Sequence, residues 1–313
     1  MEAILMLIDK EGRKMTKLRV SLTDKCNLRC HYCMPVDQSF MDESKYLSPD
    51  EITSVVSELK ELGLQEVRLT GGEPLMRKSF PEIVQKLASL NLKKLSLTTN
   101  AIYLDRYLSL LKDLRVFHLN ISLDSLDPEN FKKITYGNHF EKVISNIRSA
   151  VSMGFIVKLN AVMMKGINDH EVNQFVKFSE DESVEVRFLE LMKIGYARSN
   201  QNETFISARD LIRKIQNEFQ LKAITTPLDS TSFNFVTENG GQIGFIASES
   251  EPFCGHCSRW RLSADGILRA CLFKDEGLDI RVRDRSVIYQ ELLGMKPNHR
   301  ISEVSHTMNA IGG

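Results

Sequence analysis

No stretch of this chain approaches the ~20 consecutive apolar residues that a membrane-spanning helix needs, and the opening MEAILMLIDK has too short an apolar core and no basic start for a signal peptide. Neither sign of charge is in excess. The 41 Lys and Arg residues balance 41 Asp and Glu, so no bulk basic field points to long nucleic acid or an anionic membrane surface. Repeats and low-complexity tracts are missing, and 42% hydrophobic with 26% charged residues over 313 positions excludes disordered, collagenous and coiled-coil chains. The phosphate-binding pattern GxxxxGK[ST] is also absent. The expected compartment is the cytoplasm, where thiols stay reduced and closely spaced cysteines bind metal or do chemistry more often than they form disulfides.

What is present is a regular alternation. Extended, β-branched-rich runs recur at Leu18–Thr23, Glu66–Thr70, Lys94–Thr99, Phe117–Leu123, Val157–Val162 and Val184–Leu189, each followed by a stretch of helical period. The clearest helix begins at SPDE, with Ser48 as N-cap, Pro49 in the first helical position and Glu51 closing a capping box; its apolar face is Ile52, Val55, Val56, Leu59 and Leu62. Such alternation implies parallel strands with right-handed crossovers, in an open doubly wound sheet or a full or partial βα barrel. Polar residues gather where the strands end: Thr70-Gly71-Gly72, Thr98-Thr99-Asn100, and Ser122 with Asp124. In a barrel that end carries the site. The alternation stops near Met192. Residues 193–205 read as a polar linker, followed by a helix over 207–219 and short strands at Ser232–Val236 and Gln242–Ala247. Residues 1–192 and 193–313 are thus expected to be separate units. Arg281, Arg283 and Arg285 read as a solvated face.

All six cysteines fall into two triples, Cys26, Cys30 and Cys33 in CNLRCHYC and Cys254, Cys257 and Cys271. Two readings stand. Structural zinc would take a histidine such as His31 or His256 as fourth ligand, although adjacent Cys30 and His31 rarely reach one tetrahedral ion together. Alternatively each triple holds a four-iron cluster with one iron free to bind a small molecule.

The first triple, in a loop after the first strand with an aromatic before its last cysteine, closely resembles the signature of the radical S-adenosylmethionine (SAM) enzymes, and GGEP in RLTGGEPLMR resembles their segment for the SAM ammonium. The resemblance extends over nearly the whole chain to the GTP 3′,8-cyclase branch of molybdenum-cofactor biosynthesis. It is carried by LTDKCNLRCHYCMP, RLTGGEPLMR, LTTN, NISLDS, KGIND, RFLELM, FCGHCSRWRLSADGILRACLF and a terminal IGG. The usual glycine after LTTN is here Ala101, and the segment between Cys271 and the tail is short. A rival within radical chemistry is a peptide- or small-molecule-modifying enzyme with an auxiliary cluster; a rival outside it is a zinc-stabilised nucleotide-binding protein.

The resemblance implies an α/β fold, a partial (βα)6 TIM-like barrel with a C-terminal segment carrying the second cluster over the barrel mouth. It implies two [4Fe-4S] clusters, on Cys26, Cys30 and Cys33 and on Cys254, Cys257 and Cys271, with Tyr32, Gly72, Ser122 and Met192 contacting SAM. Arg19, Arg68, Thr98, Lys158, Arg259 and Arg261 would hold GTP, the arginine fork suiting phosphate oxygens. Arg19, Arg259, Arg261 and the tail glycines Gly312 and Gly313 would serve catalysis. The first cluster would reduce SAM to a 5′-deoxyadenosyl radical that takes hydrogen from ribose C3′. The sugar radical would close on guanine C8, giving (8S)-3′,8-cyclo-7,8-dihydroguanosine 5′-triphosphate. A homodimer, an external reductant and a downstream cyclic pyranopterin monophosphate synthase complete the implied partners, with no nucleic acid and no membrane.

Overall fold

The computed structural model describes residues 6–301, 304 and 307–312. Strands β1 (Lys17–Ser21), β2 (Glu66–Thr70), β3 (Lys94–Thr99), β4 (His118–Ser122), β5 (Ile156–Met163) and β6 (Glu185–Glu190) pair side by side in chain order, all parallel. These are the six predicted runs, shifted at most slightly at their ends. The helix Pro49–Glu61 starts as its sequence dictates. The Glu51 amide donates to Ser48 Oγ at 3.1 Å, the Ser48 amide donates to the Glu51 carboxylate at 2.7 Å, and Ile52, Val55, Val56 and Leu59 are buried. Each such side chain contributes roughly 1.5–3 kcal/mol by leaving water.

The C-terminal strands β7 (Leu221–Ile224), β8 (Phe233–Thr237), β9 (Gln242–Ile246), β10 (Arg259–Leu262), β11 (Ile267–Arg269) and β12 (Leu278–Asp279) join the same sheet, whose order is β12-β11-β10-β1-β2-β3-β4-β5-β6-β9-β8-β7. β9 runs parallel to β6 and β10 parallel to β1, so two strands consecutive in the chain lie at opposite edges of the parallel set. The connecting segment 247–258 therefore spans the open side of the partial barrel, and it carries Cys254 and Cys257.

The stretch 193–205 is not a plain linker. Gly195–Ser199 is a 3₁₀ helix and Gln201–Thr204 one helical turn, with Gln201 buried and donating to the Leu191 carbonyl at 3.0 Å. Gln201 is consumed by the carbonyl just past β6, and Ser199 and Thr204 by carbonyls of the stretch itself, which is why polarity alone misled. Arg281 and Arg283 are exposed, as predicted, yet Arg281 pairs with Glu51 at 2.9 Å and Arg285 with Glu58 at 2.5 Å, fastening the C-terminal segment to the first helix. Pairs this exposed contribute up to about 1 kcal/mol each. Among the described residues no helix is long and apolar enough to cross a membrane.

Candidate active site

One cavity of about 270 Å³ runs inside the barrel, and both cysteine triples line it. Cys26 follows the C-terminal end of β1. Cys257 stands just before β10, whose first residue is level with Lys17 at the start of β1. The second triple therefore faces the cavity from the opposite end of these strands, and does not sit over the mouth that carries the first; the parallel pairing of β10 with β1 enforces this. Burial pushes the Cys26 thiol up to about 11 and Cys33 to about 12. Loading such a site releases protons, because thiolates are the ligands. Cys257 differs: burial pushes it up, but Arg259, Lys296 and the Arg259 amide outweigh this and bring it down to about 6.

Around the first triple, Gly72 lies so close to the loop that a Cβ there would stand 2.3 Å from the Lys25 carbonyl and 2.6 Å from that of Asp24. Only glycine lets GGEP and the cysteine loop come this close. Glu73, fully buried, accepts from the Leu75 amide at 3.0 Å, Thr99 Oγ1 at 2.7 Å and the Asn100 amide at 2.7 Å, tying the ends of β2 and β3. Burial nevertheless raises its carboxyl to about 7. Tyr32 lines the cavity with its hydroxyl donating to Asp124 at 2.7 Å. Ala101, the residue in place of the usual glycine, adopts the left-handed conformation (φ +63°) and is buried.

The register aligns three guanidinium bases. Arg261 of β10, Arg19 of β1 and Arg68 of β2 are direct cross-strand partners, with Arg259 one pleat away on the same face. None of the four pairs with a carboxylate among the described residues. Burial and the other three arginines hold Arg19 well below the usual arginine range, and burial brings Arg68 and Arg261 to about 10. Four uncompensated cations in a shared cavity are costly by themselves and complement an extended polyanion.

The C-terminal tail enters this cavity. Asn309 is buried, donates to the Asp24 carbonyl at 3.1 Å, and its backbone bonds Cys33. Arg261 donates to the Gly312 carbonyl. Gly312 has φ +72°, and a Cβ on it would stand 2.9 Å from both Ser21 Cβ and Thr70 Cγ2. Gly313 lies outside the described residues.

The cavity thus brings together every predicted site residue described, except Lys158 and Gly312, which is held at its edge by Arg261. Thr98, Ser122 and Met192 are on its wall. Lys158 pairs with Glu185 at 2.6 Å and lines a smaller cavity that shares Arg68 and Arg187 with the main one. His31 and His256 line neither cavity, and no three His, Cys, Asp or Glu among the described residues gather closely enough to hold a single metal ion. Sequence reasoning placed Asp124 at the site end of its strand without a role, and missed Arg187, Asn160 and Lys296. The signal for Arg187 was its place in RFLELM, alternating in register with residues already singled out; for Lys296 there was none, since its burial depends on segments far apart in the chain.

Four buried polar atoms on the cavity wall, Asn160 Oδ1, Ser248 Oγ, Arg259 Nη2 and Asn309 Oδ1, bond to no described residue. With two thiol triples and an unpaired arginine row, this wall fits iron–sulfur clusters, SAM and a charged polar ligand.

Comparison with known proteins agrees. Residues 20–179 match the radical SAM superfamily and residues 184–294 match "Molybdenum Cofactor Synthesis C". A GTP 3′,8-cyclase of Synechocystis is 54% identical over 98% of this chain and 95% of its own length, and one of Aquifex aeolicus is 39% identical over 88% of each. Among solved structures, SuiB of Streptococcus suis bound to S-adenosylmethionine superposes with a TM-score of 0.66 at 14% identity, covering 91% of this chain and 68% of that one, which speaks for the fold. A radical SAM domain works with a four-iron cluster and SAM. The three-cysteine loop, the partial barrel around it and this likeness over nearly the full length of both chains lead to one assignment: the chain belongs to the GTP 3′,8-cyclase family of radical SAM enzymes.

Proposed function

We propose that this chain closes GTP on itself, joining ribose C3′ to guanine C8 in the first step of molybdenum-cofactor biosynthesis. The observation that carries the proposal is the single cavity flanked by two cysteine triples, with an unpaired arginine row between them. Cys26, Cys30 and Cys33 would hold the cluster that works with SAM, and Tyr32, Gly72, Ser122 and Met192 would contact SAM. Bound there, the reduced cluster and SAM supply a carbon radical at the adenosyl 5′ position, able to take a hydrogen atom from a sugar carbon. Cys254, Cys257 and Cys271 would hold a second four-iron cluster, which with only three cysteines would supply an iron open to the guanine.

The residues of this chain do the positioning. Arg19, Arg68, Arg259 and Arg261 bind the triphosphate as a planar-forked row, with Thr98 beside them and Lys158 and Arg187 extending the charge through the adjoining cavity. A triphosphate held at several points fixes the ribose, and holding C3′ near the adenosyl carbon is what makes abstraction selective. The tail, through Gly312 and Gly313, fills the space beside the ribose and excludes water and other hydrogen donors. In this reading residues 1–192 supply SAM chemistry and part of the phosphate-binding row, and residues 193–313 supply the second triple, Arg259, Arg261 and the tail, within one continuous sheet. The reaction requires a one-electron donor, and the family resemblance adds a downstream enzyme that takes the cyclised nucleotide.

The test is anaerobic reconstitution of the native chain and of two variants, each with one triple changed to alanine. The proposal expects about eight iron and eight sulfide per native chain and about four in each variant, the numbers of two four-iron clusters. It also expects the variant lacking the second triple to keep SAM cleavage but lose GTP cyclisation. Zinc in place of iron and sulfide, or cyclisation without the second triple, would overturn it.

A further inference from the structure

Beside the second triple two buried cations knit together the segments that carry its cysteines. Lys296, 4% exposed, follows the helix Arg285–Met295. Its ammonium donates to the Arg259 carbonyl at 2.7 Å and the Ala270 carbonyl at 2.9 Å, and its charge acts on the Cys257 and Cys271 sulfurs. Arg259 follows Cys257 by two residues and Ala270 directly precedes Cys271, so one side chain clamps both loops. Arg13, 6% exposed, completes the frame: its guanidinium donates to the Cys254 carbonyl at 2.8 Å, to Pro297 at 2.7 Å and to Lys296 at 3.1 Å, and its charge is met by Asp9 at 2.7 Å. Asp9 thus neutralises Arg13, while Lys296 has no carboxylate partner among the described residues.

We infer that Lys296 is a positioning residue for the second cluster, its ammonium presenting Cys257 and Cys271 to the cluster while its charge stands against the cluster's sulfur. The inference rests on reading the second triple as cluster ligands. A cation beside ligating sulfurs stabilises the more negative, reduced state, so it raises the reduction potential as well as the affinity. A clamp that was only structural would move affinity without moving the potential.

The test uses the full chain with Cys26, Cys30 and Cys33 changed to alanine, so that all iron belongs to the second triple, and compares Lys296, Lys296→Gln and Lys296→Met. A cooperative thermal melt of each apo-protein reports folding. The inference expects Lys296→Met to lose at least half of the iron and sulfide. It expects Lys296→Gln, which keeps a donor without charge, to shift the reduction equilibrium at least tenfold towards the oxidised cluster, about 59 mV for one electron. Full iron in both variants with an unchanged potential overturns it, as does iron loss accompanied by loss of the cooperative melt. If the chain with Lys296 intact binds no iron and sulfide, the reading of the second triple fails first and the inference falls with it, a result distinguishable because no change at Lys296 is involved.

Discussion

The tail offers the sharpest single-atom perturbation. Gly312→Ala adds one methyl at a residue with φ +72°, where an L side chain costs about 1–2 kcal/mol. That methyl would stand 2.9 Å from Ser21 Cβ and from Thr70 Cγ2, both part of β1 and β2 and unable to yield as a flexible side chain could. The tail must therefore withdraw, and its withdrawal breaks the bond from Arg261 to the Gly312 carbonyl, a charge-assisted contact of roughly 1.5–3 kcal/mol. Left-handed strain and the overlap, itself costing about 1–3 kcal/mol as overpacking, together disfavour insertion by about 3–4 kcal/mol, or 10²–10³ in the population of the inserted tail. Global stability should barely change, because the methyl acts on a terminal segment. The assay measures GTP cyclised and 5′-deoxyadenosine formed in the same reaction. Cyclisation should fall by about two orders of magnitude while SAM cleavage persists, uncoupled from product. Wild-type cyclisation in Gly312→Ala would refute the argument that tail insertion matters.

Other residues give independent tests. Arg68→Met removes one member of the arginine row, so the KM for GTP should rise roughly 10–100-fold, the value of a hydrogen bond to a charged group, with SAM affinity unchanged; an unaltered KM would remove Arg68 from the substrate site. Burial raises the Glu73 carboxyl from 4.5 to about 7. A carboxyl raised by folding favours the folded state fully below pH 4.5 and loses that contribution as pH rises through 7, at up to ~1.4 kcal/mol per pH unit. Urea unfolding of the apo-protein should show that decline, and Glu73→Gln should flatten it by one proton; an identical slope in the variant would contradict the assignment. Ala101→Gly should stabilise by up to about 1 kcal/mol, relief of left-handed strain being partly offset by the lost buried methyl. Ala101→Val should destabilise by more than ~2 kcal/mol in the same unfolding measurement, and equal stability of the two would argue against the strain.

The barrel was legible because its information is local. The Ser48 and Glu51 cap and the β-branched runs each act within a few residues, and β2 and β3 begin and end where their sequences say. What escaped is non-local. Nothing in 242–262 says that β9 and β10 part to opposite edges of the sheet, so the second triple was expected over the mouth and lies towards the other end. Gln201 looks like a linker residue until the Leu191 carbonyl, just past β6, supplies its partner. The site divides in the same way. Cysteine spacing names the ligands directly, and the motif arginines could be named singly, but their union into a row follows from register: Arg261 opposite Arg19 opposite Arg68. Lys296 was invisible because a lysine between a helix end and a proline is ordinarily solvated, and only the meeting of β10, β11 and the N-terminal turn buries it.

The central claim is that radical chemistry in this cavity acts on ribose C3′ of GTP. Its most direct test supplies the reduced, reconstituted protein with SAM and with GTP carrying deuterium at C3′, and determines the mass of the 5′-deoxyadenosine released. The account predicts one deuterium in that product, formed together with the cyclised nucleotide. Unlabelled 5′-deoxyadenosine, or none at all from protein with its clusters intact, would contradict it.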